Sequence, residues 1–149
     1  MIKILKLILF IVFFIYQTFA FSKTADNVDF NSKYVSNYLS AIISENNHNS
    51  DDSVKYLNSS KFLINVHEGY LKKYVTNLVV NGEVQKSISV IKQNRNKDNS
   101  NFFEADLLLL IDNFKKKKFN QNIKILEELE GYKGFIIYEV LKSYNDLFL

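Results

Sequence analysis

The sequence predicts an all-α fold, helix-turn-helix pairs stacked as an α-α solenoid, and three observations predict it. The first is a recurring hexapeptide. It reads Asp52-Ser53-Val54-Lys55-Tyr56-Leu57, then Lys86-Ser87-Ile88-Ser89-Val90-Ile91, then Gln121-Asn122-Ile123-Lys124-Ile125-Leu126. The copies start 34 and then 35 residues apart, a period that marks stacked helical arrays. The second is helical spacing of apolar residues around each copy, most continuous at Phe103, Leu107, Leu110 and Phe114. The third is the absence of Pro from all 149 residues, which removes the strongest helix breaker.

Taken in order, residues 1–20 form a targeting segment. Lys3 and Lys6 precede an unbroken apolar run from Leu7 to Ile15, and Thr18-Phe19-Ala20 offers a small-x-small cleavage site. That is the layout of a signal peptide. An uncleaved amino-terminal anchor is the rival, because the apolar stretch just spans a bilayer if extended through Phe21. Either way the expected location is periplasmic or otherwise exported. Residues 21–30 read as a linker, and the repeat domain as residues 31–149.

Asn31 or Ser32 is expected to cap a first helix running to about Glu45, with Tyr34, Tyr38, Ala41 and Ile42 on one face. After a polar turn at 46–50, Asp51 or Asp52 is expected to cap a second helix carrying Val54, Tyr56, Leu57 and Phe62 to Ile64. The second pair repeats the plan. Tyr70 or Leu71, Tyr74, Val75 and Leu78 recur at helical spacing, Asn81-Gly82 ends that helix, and Val84, Ile88 and Ile91 continue in its partner.

A polar loop spans 94–101. Asn101 with Glu104 then reads as a capping box opening the third pair. Lys115 to Lys118 close its first helix, where positive charge suits the dipole. Ile123, Leu126 and Leu129 form the next stripe, which Gly131 is expected to stop. A last helix from about Gly134 to Leu149 carries Ile137, Leu141, Tyr144 and Phe148 on one face, with Ile136, Val140 and Leu147 around the rest. Apolar on more than one face, it is a candidate docking element, for a partner or for self-association.

Helix pairs at this period resemble the tetratricopeptide repeat (TPR) family, over about residues 31–149, in degenerate form. The small residue opening that family's second helix looks like Ser53, Ser87 and Asn122, and the bulky residue four positions on looks like Leu57, Ile91 and Leu126. Leu71, Tyr74 and Leu78, and again Leu107, Leu110 and Phe114, fall at its large first-helix positions. Val75 and Ile111 depart from its small residue there, which only Ser40 or Ala41 supplies, and its closing Pro is missing. The resemblance implies a right-handed superhelix that presents a groove to a protein or peptide. A Sel1-type array or an irregular helical bundle is the runner-up.

Six residues, Ser53, Leu57, Ser87, Ile91, Asn122 and Leu126, are therefore expected to pack between helices. Tyr70, Tyr74 and Tyr138 are either core or, since Tyr joins apolar area to a hydrogen-bonding tip, candidates to line a partner groove.

Chemistry is sparse. Cys is absent, so there is no disulfide framework and no thiolate ligand or nucleophile. The charge of +3 falls to +1 without Lys3 and Lys6, too little for a nucleic-acid footprint. His48 and His67 lack further ligands at metal spacing, and the four Gly stand apart at 69, 82, 131 and 134, so neither metal nor phosphate cofactor is expected. Glu127, Glu128 and Glu130 read as the solvated face of their helix. The sequence thus points to a non-catalytic interaction scaffold of the cell envelope, touching the membrane only through its amino-terminal segment. The alternatives are a lytic, cell-wall-acting hydrolase using Glu68 or Glu104, or a segment of a larger repeat protein.

Overall fold

A computed structural model describes residues 31–97 and 100–149. The signal or anchor segment and most of the linker lie outside them. The described chain is all-helical: α1 (Ser32–Asn46), α2 (Ser50–Ser59), α3 (Tyr70–Val80), α4 (Val84–Asn94), α5 (Phe103–Lys115), α6 (Phe119–Glu128) and α7 (Ile136–Leu147). Short 3₁₀ turns at Lys61–Asn65 and Glu130–Tyr132 link α2 to α3 and α6 to α7. No helix among the described residues is long and apolar enough to cross a membrane.

Each helix packs on its neighbours in the chain, and α3 also meets α5. The core runs through that order. Ala41 meets the α2 side, Leu57 and Val54 follow, then Tyr70, Leu71, Tyr74, Val75 and Leu78 of α3, then Ile88, Val90 and Ile91, Leu109 and Leu110, and Ile125, Leu126 and Leu129. Helix α3 sits at its centre. Helix α1 contributes one fully buried residue, Ala41, whose small side chain lets Ser53 of α2 approach closely enough to donate to the Ala41 carbonyl at 3.0 Å.

Several element boundaries differ from the sequence expectation, each for a local reason. The cap of α2 is Asn49, not Asp51 or Asp52. Its Oδ1 accepts from the Asp52 N–H at 3.1 Å, and its amide donates to the Asp52 carboxylate at 2.9 Å, a reciprocal cap that uses Asp52 three residues in. Phe62 to Ile64 fall in the 3₁₀ turn and not in α2, because Ser60 ends the helix by bonding back to Leu57. His67 precedes α3 and accepts from the Gly69 N–H, so it does not open a helix.

Asn101 and Glu104 make no capping box. Phe102 is the cap residue without a side-chain bond, and Glu104 is drawn instead to Lys72 on α3 at 2.8 Å. The left-handed residue after α6 is Gly134, at φ +91°, and not Gly131. Its N–H donates to Glu139 at the start of α7. Gly82 takes φ +79° as its position after α3 requires.

Two faces also shift. On α6, Ile123 is exposed and Ile125 is buried in its place beside Asn122, Leu126 and Leu129. On α7, the buried face is Tyr138 and Asn145 with half-buried Leu141, while Ile137, Tyr144 and Phe148 are exposed.

Polar ties cross from each helix pair to the next. Ser50 donates to Asn81 at 3.0 Å and Lys73 to Glu45 at 2.8 Å, 31 and 28 residues apart. Lys97 donates to Asn65, 32 residues away, and Arg95 to Glu128, 33 residues away. Asp112, buried on α5, takes Lys92 from α4 at 2.8 Å and Lys116 at 2.7 Å. Those two ammonium groups, Lys116 first, hold its carboxyl below the usual range.

Candidate functional site

The packing residues come first. Ser53, Leu57, Ser87, Ile91 and Asn122 are fully buried, and Leu126 nearly so. They do not form one site, because each lies at its own helix junction. The Ser87 hydroxyl donates within its own helix to Val84. Asn122 does more. Asn113 of α5 donates to its Oδ1 at 2.9 Å, and its amide donates to Asn145 of α7 at 3.0 Å. A buried asparagine ladder thus ties α5, α6 and α7. Sequence reasoning missed Asn113 and Asn145. The available signal was Asn122 itself, which is larger and more polar than the Ser of the other copies and requires polar partners when buried.

Tyr70 and Tyr74 are core residues with no ring surface left to line a groove, and Tyr138 is almost fully buried. Their polar tips explain the choice of Tyr over Phe. The Tyr70 hydroxyl donates to the Leu57 carbonyl, one of the acceptors left over at the end of α2. Tyr74 donates to Asn58 at 2.5 Å. Burial pushes both phenols up to about 12, so they remain neutral donors at ordinary pH. Anchoring α3 onto α2 is their structural work.

The two candidate catalytic acids lie in different settings. Glu104 is paired with Lys72, whose hydrogen bond holds its carboxyl below the usual range, the reverse of what a general acid needs. Glu68 is exposed in the turn before α3. It lines an open cleft of ≈ 570 Å³ with Ile64, Val66, His67, Asn96 and Lys97. Among the described residues no group of three or more His, Cys, Asp or Glu is placed to hold a metal ion.

Arg95 at the end of α4 is the most connected cation. It reaches Asp106 of α5 at 2.6 Å and Glu128 of α6. Asp106 is buried, and that burial raises its pKa, with Arg95 offsetting the shift only in part.

The largest exposed apolar surface is on α7 and its approach. Phe135, Ile136, Val140, Leu147, Phe148 and Leu149 are all more than half exposed. Contiguous apolar patches of this kind mark interaction surfaces, whereas single exposed apolar residues do not. Lys117 and Lys118 line a shallow groove with Phe119, Phe148 and Leu149 at one end of the patch. No family model, curated protein or solved structure matches the chain.

Proposed function

We propose that the chain is a non-catalytic protein-interaction scaffold of the cell envelope, a TPR-like stack of helix pairs that holds a partner protein or peptide. The observation that carries this reading is the spacing of the polar ties. Glu45–Lys73, Ser50–Asn81, Asn65–Lys97 and Arg95–Glu128 join residues 28 to 33 apart. A side chain in one helix pair therefore meets the next pair close to one period later, as stacking requires. The neighbour-to-neighbour packing order supports the same reading. So does the hexapeptide, whose small position is fully buried in all three copies.

Export is part of the proposal and rests on the basic start and apolar run of residues 1–20. Partner cross-linking in intact cells, paired with protease accessibility from outside the inner membrane, tests both parts. The expected result is a defined protein adduct on a chain that protease reaches. No adduct from a folded chain would overturn the scaffold reading, and protection from protease would overturn the location.

A further inference from the structure

Helix α7 carries, uncovered, positions that are buried in the two helices it corresponds to. Tyr70, Tyr74 and Asn77 of α3 recur 36 residues on as Asp106, Leu110 and Asn113 of α5, and 34 further on as Val140, Tyr144 and Leu147 of α7. All six in α3 and α5 are buried. In α7 the three are 59%, 46% and 75% exposed. One of them shows what belongs there: Asn113 bonds to Asn122 on α6, the partner helix of its own pair. Ile136, 83% exposed, extends the same stripe by one turn.

The charges at the two ends of this stripe have one sign. Lys117 and Lys118 flank Phe148 and Leu149, and Lys133 precedes Phe135. None of the three pairs with a carboxylate among the described residues. The acids of α7 are already engaged, Glu139 by the Gly134 N–H and Asp146 by Lys142 at 2.7 Å.

We propose that the free face of α7 docks an amphipathic helix of another protein, acidic at its ends, in the place that α4 holds on α3 and α6 on α5. The inference rests on the scaffold reading and names the partner's chemistry. Helices α4 and α6 are 11 and 10 residues long, so about three turns of partner helix fill the site. A second copy fits less well, since antiparallel pairing of two α7 helices sets Lys133 of one against Lys117 and Lys118 of the other, like charge on like. A bilayer fits less well too, because interfacial helices carry cations along the polar flank, and here that flank holds Glu139 and Asp146.

Fluorescence anisotropy with the full chain tests this, using two labelled helical peptides of about 14 residues. Both have the same leucine stripe, and one has Glu and the other Lys at its ends. The acidic peptide is expected to bind in the micromolar range, roughly tenfold more tightly than its twin. Val140→Glu should abolish binding without changing thermal unfolding, and Lys117→Glu with Lys118→Glu should reverse the preference. Equal binding of the twins, or none, overturns the inference. So does a dimer in sedimentation that Val140→Glu dissolves, or flotation with phosphatidylglycerol–phosphatidylethanolamine vesicles in place of peptide binding. Should cells yield an adduct on α1–α5 while the peptides fail, the scaffold stands and this docking falls.

Discussion

Leu126 and Ile123 occupy the same helix three residues apart and meet opposite surroundings. Leu126 is 6% exposed between α5 and α6, while Ile123 is 43% exposed at the cleft between α6 and α7. Leu126→Ala is expected to cost about 2–5 kcal/mol in chemical unfolding, as buried large-to-small changes do. Ile123→Ala should cost less than about 1 kcal/mol, as surface changes do. Similar losses at both sites would show that the hexapeptide aliphatics share one environment, contrary to this packing. Asn122 makes a sharper case. Asn122→Ala removes the middle of the ladder and leaves buried amide groups of Asn113 and Asn145 without their partner, at about 1–3 kcal/mol. Asn122→Ser restores the residue of the other copies but cannot reach both neighbours, so it should be destabilising as well. A neutral Asn122→Ser variant in urea unfolding would mean the ladder contributes nothing.

At the scale of elements, Arg95 joins α4 to α5 and α6, and its prediction turns on pH. Asp106 is buried and its pKa is raised above the unfolded value. A raised folded pKa means the native state binds the proton more tightly, so this group contributes stability at low pH that is lost as pH rises through its folded pKa. Arg95 offsets that loss while it is present. Arg95→Met therefore leaves a buried, unpaired carboxylate at neutral pH, at a cost of roughly 3 kcal/mol. The cost should shrink as pH falls below the folded pKa of Asp106. Urea unfolding of both proteins from pH 7 to pH 4 checks this, and a gap that stays constant would remove Asp106 as its cause. The helices themselves were legible from periodicity, because spacing reports which face is apolar. The cap at Asn49 and the loss of the Asn101–Glu104 box were not, since either needs to know which polar neighbour wins: Glu104 is taken by Lys72, more than thirty residues away in sequence. For the same reason Tyr70 and Tyr74 kept two readings until their hydroxyls were found on Leu57 and Asn58. The apolar excess of α7 was visible in sequence, but its lysine rim became a feature only once Lys117 and Lys118 stood beside Phe148.

For the molecule as a whole, the packing order decides how it opens. Helix α3 has Tyr70, Leu71, Tyr74, Val75 and Leu78 buried, while α1 keeps only Ala41 and α7 only Tyr138 and Asn145 fully inside. Stability in a chain whose helices pack mainly on their neighbours is a sum over units and interfaces, so the ends open at lower free energy than the middle. Native-state hydrogen exchange should show this directly. Amides of α3 are expected to exchange only through global unfolding, with α4 and α5 close behind. Those of α7 should exchange through a local opening that depends little on denaturant. Adding the acidic helical peptide should slow exchange in α7 and leave α3 unchanged, because a ligand stabilises the region whose opening releases it. Uniform protection from α1 to α7 in the free protein would instead describe a single cooperative bundle, and the stacked-unit reading would have to be given up.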